Sequence, residues 1–267
     1  MTAAEVVPVR SLDGTEELEA VCVLFEQIWG LKPGRGLLNI ELLRAMVKAG
    51  SYVSGAFVDG DLVGASAGFF AAPHERALHS HITGVASQAR GRQVGFALKL
   101  HQREWALDRG IEEIFWTFDP LVRRNAWFNV AKLGARPVEY LPNFYGAMDD
   151  GLNGSDDTDR ALVSWRLRDP DVMRVMSGAA ANVYAPGDVD AVLDVLPDGG
   201  PIARTSPAAR VRVTVPPDIE ALRISEPATA TRWRHAVRDV LGGLLAEGAT
   251  VCGFDHSGGY LLDRGER

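Results

Sequence analysis

Cysteine is scarce. There are two in 267 residues, Cys22 and Cys252, far apart in sequence. That excludes a disulfide framework, and the lack of any C-x-x-C pair argues against a cysteine zinc site. A reducing cytoplasm is the expected setting. Lysine is scarce too: of 28 bases only Lys32, Lys48, Lys99 and Lys132 are lysines, which reads as genomic base composition rather than function. No apolar run approaches the roughly 18 residues of a membrane-spanning helix, so no membrane partner is expected. The opening residues MTAAEVVPVRSLDG lack a charged stretch followed by an apolar one, so no secretory signal is expected. Basic charge is in deficit. The 35 acids against 28 bases leave a net charge of −7. This argues against a broad nucleic-acid surface, whose affinity rests on many phosphate contacts. It suits a cationic or amine partner, although net charge locates no site.

What is present is enough for a packed core: 46% hydrophobic and 24% charged residues. At roughly 150 residues per domain, the length allows one large domain or two modest ones. Apolar spacing predicts a helix over 15–31, with Leu18, Val21, Cys22, Phe25 and Ile28 on one face and Gly30 as stop signal. A short helix follows over 37–48. Strands are expected over 51–58 and 61–70, joined by a hairpin turn at Asp59-Gly60. A third strand fits 78–86. Then come a helix over 94–109 closed by Gly110, a strand over 111–118, a helix over 122–133 closed by Gly134, and strands over 135–145 and 161–167. A polar stretch, 149–159, separates the last two. Residues 170–210 are rich in Pro, Gly, Asp and Ala, with room for two short helices. A strand over 211–215, a helix over 228–247 and a strand pair over 249–254 and 259–262 end the chain.

The informative feature is a turn. The strand ending at Ala86 feeds Arg90, Gly91, Arg92, Gln93, Val94 and Gly95, and a helix opens there. Such a turn aims backbone N–H groups, the helix dipole and two arginines at one point, which suits a phosphate or pyrophosphate. Gly91 and Gly95 let a ligand come close to the backbone. The plain alternative is an exposed turn with two glycines and two arginines. No G-x-G-x-x-G or G-x-x-x-x-G-K-[ST] run occurs here.

Just upstream, His79 and His81 lie two apart on a strand, so they share a face. Histidine suits proton removal near neutral pH. The alternatives are two polar residues on a half-exposed strand, or a zinc pair with no evident third ligand; no metal is expected. Gly84 reads as the mark of a bulge. Asp119, at the C-terminal end of a strand, reads either as a ligand for a substrate amine or as an N-cap before Pro120. Arg123 and Arg124 read as anion ligands or solvated helix starts. Asn143 and Phe144 read as pocket lining or strand packing.

Arg90-Gly91-Arg92-Gln93-Val94-Gly95 resembles the [QR]-x-x-G-x-[GA] signature of the GNAT superfamily of acyl-CoA N-acyltransferases, with Gln93 in place of the first glycine. Element order over 15–168 and Lys132-Leu133-Gly134-Ala135 resemble the same family. His79-Ser-His81-Ile-Thr-Gly-Val85 is similar to the His-x-His strand of its arylalkylamine N-acetyltransferases. The resemblance implies an α/β fold with a mixed, mainly antiparallel sheet flanked by helices. It implies a catalytic domain over 1–168, leaving 169–267 as an extension that is irregular over 169–210 and then strand–helix–strand. It implies acetyl-CoA or another acyl-CoA as co-substrate, bound by Gly84, Val85, Ala86 and residues 90–95, with Asn125 or Asn129 near the pantetheine. The partner implied is a small-molecule amine. His79 and His81 become the candidate base. The family's usual tyrosine acid falls at Val130, so Tyr145 and Tyr140 are candidates by chemistry alone, beside protonation by solvent. The extension has three open roles: closing the acceptor pocket, extending the sheet or forming a homodimer contact. Two other readings remain, a non-catalytic acyl-CoA-binding or regulatory module and an interaction protein.

Overall fold

A computed structural model describes residues 7–32, 36–146, 156–178 and 189–265. The sequence readings on the first six residues, on most of 149–159 and on the middle of 169–210 lie outside the described residues. The chain forms two compact units, Met1–Phe115 and Trp116–Arg267.

The first unit holds β1 (Val9–Ser11), α1 (Thr15–Trp29), α2 (Ile40–Lys48), β2 (Tyr52–Val58), β3 (Asp61–Phe70), β4 (Ala77–Val85), α3 (Val94–Leu107) and the start of β5 (Glu113–Phe118). Its strands lie in the order β1-β2-β3-β4-β5. All pairs are antiparallel except β4–β5, where α3 makes the crossover that a parallel pair needs. The β2–β3 turn places Asp59 at φ 53° and Gly60 at φ 89°, the two positive values of the expected tight hairpin. Leu18, Val21 and Phe25 of α1 and Leu43 of α2 pack on Val53, Ala65, Ala67 and Ile82. Val94 and Leu98 of α3 pack on Ala56 and Val63.

The bulge expected at Gly84 lies elsewhere. Gly84 pairs regularly with Ala65; the extra residue is His81, between Ser80↔Gly68 and Ile82↔Ala67. Gly84 is small for another reason. A Cβ there would stand 2.8 Å from Ile28 and 2.9 Å from Trp29 of α1. Gly84→Ala is therefore expected to cost about 1–3 kcal/mol through overpacking, read as a lower midpoint in thermal denaturation.

The second unit holds the end of β5, α4 (Arg123–Ala126), β6 (Arg136–Leu141), β7 (Arg160–Arg166), α5 (Pro170–Met176), β8 (Asp190–Val195), β9 (Pro201–Ala203), β10 (Arg210–Thr214), α6 (Ile219–Ser225), α7 (Pro227–Val237), α8 (Gly243–Ala246), β11 (Thr250–Phe254) and β12 (Gly259–Asp263). In this unit β5, β7 and β6 lie side by side in that order. A separate sheet runs β11-β12-β10-β8-β9. The expected strand–helix–strand is present as β10, α6–α8 and β11–β12. Two strands join it from the stretch expected to be irregular. β8 and β9 pair antiparallel, and Pro197-Asp198-Gly199 turns the chain between them with Gly199 at φ 81°. Trp165, Trp233 and Tyr260 are fully buried in this unit.

Candidate active site

The turn over residues 90–95 lies between β4 and α3. A 3-10 turn over Ser87–Ala89 leads into Gly91 at φ 82° and Gln93 at φ 63°. Gln93 is thus left-handed where a glycine would sit without strain. The first i→i−4 bond of α3 runs from Ala97 N–H to Gln93 C=O at 2.9 Å, so the N–H groups of Val94, Gly95 and Phe96 precede the helical ladder. Arg90, Gly91, Arg92 and Gln93 are exposed, and Val94 is buried as the anchor. Ala86 donates its N–H to Val63 C=O at 2.8 Å, tying the turn to β3.

The pairing of β4 with β5 runs over Ala77↔Glu113, Leu78↔Ile114 and His79↔Phe115. Ser80–Val85 continue past that ladder with β3 on one side. His79 stacks on Phe69 at 5.0 Å between ring centres, and His81 lies 5.7 Å from the same ring. The two imidazoles are 6.1 Å apart, on one face as expected. The regular two-residue alternation does not explain this face. Ser80 and Thr83, three apart, both turn toward α3, where Lys99 donates to Ser80 and Gln102 reaches Ser66, the partner of Thr83. The bulge at His81 reverses the alternation, so His79 faces away from Thr83 and Val85. Burial lowers the pKa of both rings, and the neighbouring His81 and Lys99 lower His79 further. Both histidines are therefore neutral, and able to accept a proton, at neutral pH.

The remaining sequence candidates lie in the second unit. Asp119 is not an N-cap: α4 begins at Arg123, and Asp119 Oδ1 instead accepts the Leu121 N–H at 3.0 Å in a preceding turn. Its carboxylate is buried and already committed. Arg234 Nη1 and Nη2 donate to Oδ1 and Oδ2 at 2.9 Å each, and Arg223 Nη2 to Oδ2 at 2.6 Å. Burial opposes its charge, but the two guanidiniums win and hold its pKa at about 2. That occupancy favours an internal ion pair over contact with a substrate amine. Arg123 donates to His256 C=O, and Arg124 pairs with Glu220, so both are engaged within the unit. Asn143, at φ 45°, accepts from Thr158 N–H and Oγ1 and donates its own N–H to Asp159, which makes it a turn former. Phe144 and Tyr145 are exposed and pack edge to face. Tyr145 Oη lies 3.0 Å from Thr117 Oγ1, with the Arg160 guanidinium over its ring. Asn125 is exposed and Asn129 buried. Val130 is buried and brings no acid to that position. Tyr140 donates to Asp159 and is raised far above its usual range by burial.

Sequence reasoning missed Lys99, Ser80 and Gln102 in the first unit and Arg223 and Arg234 in the second. Lys99 carried a signal: it falls on the apolar stripe of its helix, one position after Leu98.

The first unit is thus a mixed α/β unit in which a strand bearing two histidines feeds the turn at the head of α3. Residues 20–134 match the family described as Acetyltransferase (GNAT) family. Among solved structures it is similar to the ribosomal-protein-alanine N-acetyltransferase of Brucella melitensis, at 17% identity over 59% of this chain and 98% of that one, TM-score 0.49. It is also similar to yncA of Salmonella typhimurium, solved with its cofactor acetyl-CoA, at 13% identity over 62% of this chain and 96% of that one, TM-score 0.49. No curated protein matches the chain. Among the described residues no group of three or more His, Cys, Asp or Glu could hold a metal ion, and no helix is long and apolar enough to cross a membrane.

Proposed function

We propose that this protein moves an acyl group, acetyl or another short acyl such as succinyl, from acyl-CoA to a primary amine of a small molecule such as an amino acid or arylalkylamine. The observation that carries the reading is one strand, β4, that presents two neutral histidines and then runs directly into the anion-binding turn. The pyrophosphate of coenzyme A would lie on the backbone of residues 90–95. The pantetheine would lie along the Ser80–Val85 edge of β4, taking main-chain hydrogen bonds as an added strand does. Gly84 keeps that edge tight against α1.

Chemistry follows from the protonation states. The substrate ammonium must lose a proton before it can attack. His79 or His81 accepts it, directly or through a water. The free amine then attacks the thioester carbonyl, and the tetrahedral intermediate collapses to the amide and the coenzyme thiolate. A thiolate with a pKa of about 8.5 takes its proton from solvent. Attack is direct. Cys22, on α1, packs against the core, and Cys252 donates to Leu261 C=O, so neither is a nucleophile candidate. Residues 1–168 would carry the reaction, in the cytoplasm and without a metal.

Isothermal titration with acetyl-CoA and with coenzyme A is the test. Saturable binding well below millimolar is expected, with turnover against a panel of primary amines. No binding at millimolar ligand would sink the proposal. A second reading has one observation behind it: Val130 stands, buried, where the family's usual tyrosine acid would be. A non-catalytic acyl-CoA-binding module would bind the coenzyme tightly yet acylate no amine in the panel.

A further inference from the structure

Lys99 is one of only four lysines, and it is buried, with 5% of its surface exposed. It sits on the inner face of α3, the helix that opens at the coenzyme turn. Its neighbours there, Val94, Leu98 and Ala106, are apolar. A buried ammonium in such a stripe is costly unless its hydrogen bonds are met. Here Nζ donates to Ser80 Oγ at 2.9 Å and to Gln102 Oε1 at 3.0 Å. Gln102 Nε2 reaches Ser66 Oγ at 3.5 Å, and Ser66 Oγ lies 2.8 Å from Thr83 Oγ1. The network therefore grips β4 twice, at Ser80 before the bulge residue His81 and, through Ser66, at Thr83 after it.

That double grip has a geometric consequence. In a regular strand Ser80 and Thr83 would point to opposite faces, because side chains alternate every residue. Both can meet α3 only if one residue is inserted between them. His81 is that residue. A polar group buried in an apolar interface is a known way to fix one register over its neighbours. Without it, a one-residue slip would put Ser80 and every other residue N-terminal to the bulge on the other face.

We propose that Lys99 is a positioning residue of the acyltransferase site: by holding Ser80 against α3 it locks the bulge at His81 and so sets where His79 and His81 point. This rests on the histidine-base reading above. Burial pushes the Lys99 pKa down to about 7, and its residual charge is one of the causes, after burial and His81, that keep His79 deprotonated. An apolar replacement at position 99 removes the bond to Ser80 and this charge together. Ser80→Ala removes the same bond and leaves the lysine in place.

The experiment compares Lys99→Met and Ser80→Ala with the parent full-length protein. Three quantities are read: kcat and KM for acetyl-CoA with the best amine, acetyl-CoA affinity by titration, and the His79 and His81 ring resonances with their through-space contacts to Phe69. Both variants are expected to lower kcat by roughly 10- to 100-fold, as a misplaced catalytic group does, and to lower acetyl-CoA affinity by less than kcat, because the turn at residues 90–95 is not altered. The imidazole–Phe69 contacts are expected to weaken or vanish. Folded variants that keep the parent's contacts and kcat overturn the proposal. Lys99→Met that loses its fold leaves Ser80→Ala to decide by the same readouts. If the parent acylates no amine, the function proposal fails, but the spectroscopic arm still decides whether Lys99 sets the histidines.

Discussion

Replacing His79 and His81 together by alanine is expected to lower kcat by roughly 10²- to 10⁴-fold near neutral pH, the range a general base contributes. Acetyl-CoA affinity should change little, because the turn at residues 90–95 is built from the backbone at the head of α3. Single variants should lose less than the pair. The rings are 6.1 Å apart on one face, so either can serve a nearby ammonium through a water. The pH profile supplies the sign. Burial lowers the pKa of both rings, so the base form persists as pH falls through the ordinary histidine range of about 6.5. The acid limb of kcat/KM should therefore lie below that value, provided the amine is not itself the titrating group. A double variant with the parent's rate at pH 7 would remove the base assignment. His79 is half-buried and His81 lies exposed on the strand, so an acid limb above the ordinary histidine value would contradict the downward shift of the two rings.

The second large effect is on stability. Arg234→Met is expected to cost about 3–5 kcal/mol, because it leaves the buried Asp119 carboxylate without its two-bond partner. The guanidinium is fully buried and also donates to Asp156 at 3.2 Å. Arg223 stays bonded to Asp119, which places the loss toward the lower end of that range. At roughly 2–4 °C per kcal/mol, the thermal midpoint should fall by about 10 °C. The double variant Asp119→Leu, Arg234→Met should recover part of the loss, since neither charge is then left uncompensated. Equal midpoints for Arg234→Met and parent would show that water, not protein, solvates Asp119. The same pair predicts a pH dependence. Asp119 has a folded pKa of about 2, below its unfolded value near 4. The stability it contributes is fully present above that unfolded value and is lost as pH falls from about 4 through about 2.

These two predictions concern residues of very different legibility. The histidine strand and the turn over residues 90–95 could be read locally. A period of two, a pair of glycines and a helix start are properties of adjacent residues. So is the hairpin at Asp59-Gly60, whose chemistry requires positive φ. The π-helical turn over Trp127–Lys132 was not legible, and a single continuous helix was expected there. Nor were β8 and β9, because Pro, Gly and Asp dilute the apolar alternation that a five-stranded sheet then completes. The role of Asp119 could not be chosen locally either. Its partners Arg223 and Arg234 lie more than a hundred residues downstream, and sequence spacing carries no trace of a contact that distant.

By itself the sequence determined the elements of the first unit other than β1, the turn at the head of α3 and the presence of two histidines upstream of it. Each depends on neighbours within a few positions, where backbone geometry is fixed by residue type. Tertiary structure alone decided that the bulge falls at His81 and not at Gly84, that Lys99 reaches Ser80, and that Asp119 is an internal counter-ion. Each of those is a pairing between elements far apart in the chain. Such a pairing exists only once burial has made an unpaired charge or an unmet hydrogen bond more costly than the order needed to satisfy it.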